Sequence, residues 1–262
     1  MTSLMITAFI LFATTVYARG WLLVRAASVG IIPAWRATSF LLGLLLTWIA
    51  VASPIAALDG RMLTAHMVQH LLLMTFAPPL IWLGAPVLAM WFGLPSARRL
   101  FLRPALQKLG GILGHPVFCW LAATAALVTW HVPAVFRLGM QSEAWHLLEH
   151  ASFFATGLLF WWPVVEPWPA RSRWPRWSML LYLFLATLPC DVLSGLLVFS
   201  DRVAYPMYLC IPHHPGLSAL EDQQCAAALM WMCVTVVFLV AGTVLSTQLL
   251  SPEVHSPTAE AV

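Results

Sequence analysis

At 262 residues, with 61% hydrophobic and only 9% charged residues, the chain lacks the roughly 25% of charged side chains that a soluble domain carries. That excludes a soluble globular protein and makes the chain an integral membrane protein. Its formal charge of +3 does not mark a nucleic-acid binder, because the basic residues are scattered between apolar segments and form no patch.

The first twelve residues, MTSLMITAFILF, have no basic region ahead of the apolar run and no cleavage motif, so they read as part of a retained helix and not as a signal peptide. Seven apolar segments of near-spanning length follow one another, at approximately 4–22, 37–57, 62–92, 116–136, 144–165, 178–199 and 225–248. The expected fold is therefore all-α, a polytopic membrane bundle of seven transmembrane helices over residues 1–250, with a short cytoplasmic tail at 251–262. Of the thirteen Lys and Arg residues, ten lie in alternate connections: Arg19, Arg25 and Arg36; Arg98, Arg99, Arg103 and Lys108; Arg171, Arg173 and Arg176. By the positive-inside rule those connections face the cytoplasm, which puts the N-terminus outside and the C-terminus inside.

Taken in that frame, five histidines share one depth. His66 and His70 open the third segment and His146 and His150 the fifth, each pair four residues apart and so on one helical face. His131 lies near the outer end of the fourth segment. Asp191, next to Cys190, falls in the outer half of the sixth, and Glu221-Asp222-Gln223-Gln224 opens the seventh. Ionisable residues inside a membrane are costly unless they face the protein interior and have something to bind. Imidazole serves copper, zinc and iron, whereas calcium or magnesium would want more carboxylates. The candidate metal ligands are thus His66, His70, His131, His146 and His150, with Glu149, Cys190, Asp191, Asp222 and Gln223 as outer-shell or access residues. Glu149 reads equally as an acceptor that orients an imidazole, or as a partner of Arg137 or of lipid headgroups. His115 and His255 read as surface residues, and His213 and His214 occupy a Pro-rich loop.

Several weaker signals accompany the histidines. Pro54 precedes His66, and Pro133 precedes His146, at nearly the same interval, a faint hairpin repeat. Pro78, Pro79, Pro163 and Pro189 are expected to kink their helices and free backbone carbonyls inside the bundle. Methionines at 62, 67, 74, 140, 230 and 232 include soft donors suited to Cu(I), although Met is also a general packing residue. No C-x-x-C occurs among the five cysteines, and Cys210 and Cys225 share the outer side, where a disulfide is permitted. A phosphate-binding G-x-x-x-x-G-K-[ST] loop is also lacking.

The strings His66-Met67-Val68-Gln69-His70, Ala77-Pro78-Pro79-Leu80, Leu83-Gly84-Ala85-Pro86, Trp130-His131-Val132-Pro133, His146-Leu147-Leu148-Glu149-His150, Leu188-Pro189-Cys190-Asp191 and Asp222-Gln223-Gln224 resemble the CtaG-type family of bacterial cytochrome c oxidase assembly factors. The likeness runs from about residue 35 to 248. It implies a seven-helix inner-membrane protein, not itself an enzyme, that is needed for maturation of a haem-copper oxidase and supplies copper to the catalytic subunit. Two other functions remain open on the residues alone: a zinc-dependent intramembrane hydrolase with Asp191 or Glu149 as base, and a b-type haem protein whose histidines face across a porphyrin. The orientation is testable. A reporter enzyme active only outside the cytoplasm should be silent when fused after Val262 and active when inserted in the 200–224 loop; activity at Val262 overturns the topology.

Overall fold

The computed structural model describes residues 2–27, 32–93, 114–167, 174–210 and 217–251, and every element in them is helical. In chain order they are α1 (Thr2–Ala27), α2 (Ala34–Val51), a 3-10 turn (Pro54–Leu58), α3 (Leu63–Leu71), a π-turn (Leu72–Phe76), α4 (Ala77–Leu83), α5 (Pro86–Gly93), α6 (Pro116–His131), α7 (Pro133–Gln141), α8 (Glu143–Val165), α9 (Arg176–Val198), a second 3-10 turn (Pro206–Cys210) and α10 (Ala219–Leu250). Arg98, Arg99, Arg103, Lys108, Arg171 and Arg173, together with His213, His214 and His255, lie outside the described residues.

Among the described residues, four stretches are long and apolar enough to cross a membrane: Thr2–Ala26, Ala34–Leu58, Arg176–Val198 and Ala219–Leu250. A fifth arises if α6 and α7 form one span bent by 79°. The third apolar segment, read above as continuous, is instead broken: it passes from α3 through the π-turn into α4 and stops at Gly84 before α5. The break falls at Ala85, whose φ of 49° is left-handed and cannot continue a helix. The fifth segment forms one 23-residue helix, α8, whose first turns carry Glu143, His146, Glu149 and His150. The same polar side chains that make it a candidate site dilute its apolar character.

Prolines accompany two of the breaks, at Pro78 and Pro133, whereas Pro163 and Pro189 lie inside the continuous helices α8 and α9. Pro78 has no N–H to give Met74, and its ring crowds the preceding turn, so the ladder loosens into the π-turn at Leu72–Phe76. The Met74 carbonyl accepts instead from Trp161 Nε1 of α8 at 3.2 Å. Near Pro163, the Leu158 and Phe160 carbonyls accept from Trp82 Nε1 and the Tyr182 hydroxyl, at 2.8 and 2.9 Å. Val132, which precedes Pro133, sits in the extended region at φ −66° and ψ 123°, and there α6 gives way to α7.

Packing brings α3, α7 and α8 together at one end of the bundle. α10 lies against α9 and α3, α2 against α4, and α1 against α5, while α8 runs between α6 and the π-turn/α4 stretch. Close approach of α8 depends on Gly157, where an added Cβ would stand 2.8 Å from Met74 Cα and 2.9 Å from Pro78 Cγ. Gly157→Ala should therefore cost ~1–3 kcal/mol through overpacking, read as a lower melting temperature in detergent. Gly195→Ala, where a Cβ meets nothing within 4 Å, should not lower melting and should raise it slightly through helix propensity; equal effects of the two would contradict this packing.

Candidate metal centre

Each imidazole is placed by a local device. Asp222 of α10 caps α3: its carboxylate accepts from Leu63 N at 2.6 Å, Thr64 N at 3.2 Å and Thr64 Oγ1 at 2.6 Å. Negative charge at a helix N-terminus also suits the dipole. The cap sets where α3 starts and hence where His66 and His70 point. Gln69 Nε2 donates to the Ala56 carbonyl at 3.0 Å, tying α3 to the 3-10 turn. On α8, the Ser142 hydroxyl accepts from Trp145 N and starts the helix that bears His146, Glu149 and His150. His131 ends α6, its Nδ1 2.7 Å from the Leu127 carbonyl and its own carbonyl accepting from the Tyr205 hydroxyl. A Nδ1–H donated to that carbonyl leaves Nε2 as the lone-pair nitrogen.

These helices bring four imidazole rings into one compact group. Ring centroids are 4.2 Å apart for His66 and His70 and for His146 and His150, 5.7 Å for His66 and His146, and 5.9 Å for His70 and His150. His131 stands at its edge, 6.3 Å from His70.

Glu149 occupies the centre of this group. It is wholly buried, and its Oε1 lies 3.4 Å from His66 Nε2 and 3.3 Å from His70 Nε2. It therefore takes neither of the two outward positions considered above, beside Arg137 or among headgroups. Gly139 of α7 makes room for it: a Cβ there would lie 2.7 Å from Glu149 Oε2. A second carboxylate joins from the turn before α3, with Asp59 Oδ2 3.2 Å from His146 Nε2.

Two overlapping sets of ligand atoms result, His66 with His70 and Glu149, and His66 with Asp59 and His146; within each set all atoms lie within 4.8 Å of one another. Both nitrogens of His66 and of His70, His150 Nε2 and both Glu149 oxygens are buried without any hydrogen bond among the described residues. Each unmet buried polar group costs ~1–3 kcal/mol, and three of these atoms, Glu149 Oε1 and the Nε2 atoms of His66 and His70, face one another. Metal–nitrogen bonds of about 2.0–2.1 Å at tetrahedral angles place donor atoms roughly 3.3 Å apart, which is the spacing of Glu149 Oε1 from the two Nε2 atoms. The residues thus fit a transition-metal ion held by two imidazoles and one carboxylate.

The remaining candidates have other duties. Gln223 is fully buried and braces the loop before α10, accepting from Ala204 N and donating to the Leu197 and Arg202 carbonyls. Asp222 is taken up by the α3 cap. Cys190 is buried 3.9 Å from Ser194 Oγ, and it lines a cavity of about 60 Å³ with His70, His131, Met67, Met74 and Met230. Asp191 is half-buried and bonded to none of the described residues. His115 is exposed, as expected. Cys225 carries an exposed free thiol, and the Cys210 side chain lies outside the described residues. Sequence reasoning missed Asp59 and Gly139. Nothing in spacing or composition marks either, because both reach the site only through folding.

An all-helical membrane protein whose imidazoles and carboxylates are gathered in one buried cluster is the class that fold and site define. More particularly, the chain belongs to the cytochrome c oxidase caa3 assembly factor family, whose model matches residues 15–251. It is also similar to uncharacterised mycobacterial proteins: Mb0105 of Mycobacterium bovis and MT0111 of Mycobacterium tuberculosis, each 25% identical over 81% of this chain and 35% of the relative, and ML1998 of Mycobacterium leprae, 23% identical over 82% of this chain and 34% of the relative. The chain thus spans about a third of the length of these curated relatives. No solved structure matches it.

A cation held by this cluster would couple its binding to folding. Adding Cu(II) or Zn(II) to chelator-treated protein at ~100 times its dissociation constant should stabilise it by about 2.7 kcal/mol, and Glu149→Gln should lose most of that gain. An unchanged melting curve for the parent protein on metal addition would contradict the fit.

Proposed function

We propose that this assembly factor binds copper at His66, His70 and Glu149, with His131, His146 and His150 around them, and helps deliver it to the catalytic subunit of the haem-copper oxidase in the inner membrane. The observation that carries this reading is the buried group of unpartnered imidazole nitrogens and carboxylate oxygens at ligand spacing. Membership of an oxidase assembly family supplies the context. Two nitrogens and one oxygen suit Cu(II), and the sulfur-bearing Met67, Met74, Met230 and Cys190 on the adjoining cavity suit Cu(I). In this reading the chain has seven spans with its N-terminus outside, and the cluster then lies in the outer half of the bilayer. The acceptor's histidine-ligated copper lies at the same depth, so transfer between the two need not cross water.

A zinc hydrolase is the second reading. It is favoured by the ligand set itself, since two histidines and a glutamate also hold catalytic zinc. Haem is supported less: the cavity beside His70 and His131 is about 60 Å³, against several hundred for a typical small-molecule pocket.

The test is the metal and haem content of oxidase purified from deleted, complemented and His70→Ala strains. Deletion and His70→Ala should give oxidase with its haem but with histidine-ligated copper reduced at least several-fold, partly restored by excess copper. Full copper in the deletion strain refutes delivery, and loss of haem with copper intact points to haem handling. In the purified protein, His70→Ala and His150→Ala should lower bound copper steeply while His115→Ala should not, and binding should weaken with acid, because a protonated imidazole has no lone pair to give.

A further inference from the structure

The cluster is asymmetric, and the asymmetry points along a direction of travel. His70 and Glu149 are sealed, at 5% and 0% exposure, whereas His146 and Asp59 keep 24% and 15%. A cleft of about 240 Å³ is lined by Asp59, Glu143, His146 and His150 on one hand and by Thr2, Ser3 and Ile6 of α1 on the other. Two carboxylates and two imidazoles line it, and no Lys or Arg does. Two lining residues are more than nine-tenths buried with an unpartnered polar atom, His150 at Nε2 and Gln69 at Oε1.

Asp59 is held in place by bonds that leave one oxygen available. Its carbonyl accepts from the Tyr208 hydroxyl at 2.9 Å and its Oδ1 from Gly60 N, so Oδ2 is the atom that faces His146. Glu143 at the rim is bonded to the Thr2 hydroxyl. His66 belongs to both ligand sets.

We infer that Asp59 and His146 form a separate loading station for a transition-metal cation, reached through this cleft, from which the ion passes to His70 and Glu149 by ligand exchange at the shared His66. This rests on the metal-binding reading above. The cation keeps its charge throughout: Asp59 and His146 are released as His70 and Glu149 take their places, and no electron moves. A negatively lined cleft raises the local cation concentration and so the rate of capture, while the final affinity is set by the inner ligands.

Rate and capacity therefore separate in the experiment. Chelator-stripped full-length protein in detergent is mixed with Cu(II), uptake is followed by ligand-field absorption, and bound copper is counted after equilibration. Asp59→Asn should slow uptake tenfold or more with the equilibrated copper unchanged, Asp59→Glu should restore most of the rate, and Glu143→Gln should slow uptake two- to fivefold. His70→Ala should keep fast initial capture but lose the retained ion. Parental uptake rates in both Asp59→Asn and Glu143→Gln overturn the loading station while leaving the inner site standing. A parent protein that takes up no copper overturns the metal-binding reading instead. Should Asp59→Asn fail to fold, the Glu143→Gln rate and its loss of advantage at high salt decide the question.

Discussion

A carboxylate sealed between imidazoles inside a membrane bundle is the constraint around which this structure is arranged. Glu149 is fully buried, finds no N–H or O–H donor among the described residues, and faces His66 and His70 at distances longer than a good hydrogen bond. Apolar surroundings make such a group costly on its own. The fold nonetheless makes space for it by leaving Gly139 bare and by turning α7 sharply away from α6, so that a short amphipathic helix closes over the cluster. Phe136 of that helix meets His66 edge-on with centroids 5.0 Å apart, and packs on Tyr205, whose hydroxyl holds the His131 carbonyl. A protein that tolerates this cost at the centre of so much orienting structure has the construction expected of a binding site.

The second organising problem is backbone polarity in a bilayer, where every carbonyl needs a donor from within the protein. The π-turn ahead of Pro78 disturbs the helix ladder, and Trp161 supplies the donor that the Met74 carbonyl lacks, while Trp82 and Tyr182 donate to the Leu158 and Phe160 carbonyls of α8. Those bonds also lock α8 to the π-turn/α4 stretch, with Gly157 letting the two touch. Two helical stretches of the candidate site are thereby held in fixed register. Below the imidazoles the same contact leaves a small cavity bordered by thioethers and a thiol, so harder and softer donors adjoin within a few side chains.

Much of this was legible in the chain. Composition marks it as a membrane protein, because soluble domains typically carry about 25% charged residues, and its long apolar segments point to helices. The four-residue spacing placed His66 with His70 and His146 with His150, since helical geometry is local, and Pro78 marked the π-turn for the same reason. The family likeness carried by those motifs agrees with the match over residues 15–251. What tertiary structure alone decided concerns groups distant in sequence. Asp222 is spent on capping α3, 159 residues away from Leu63, and Gln223 on bracing a loop. Glu149 stands between two imidazoles from another helix, Asp59 reaches His146 from a turn, and an apolar segment that reads as one span is broken at Ala85. Periodicity tells which residues share a face of one helix. Which helix that face meets, and which loop atom arrives beside it, depends on packing between elements that no local pattern encodes.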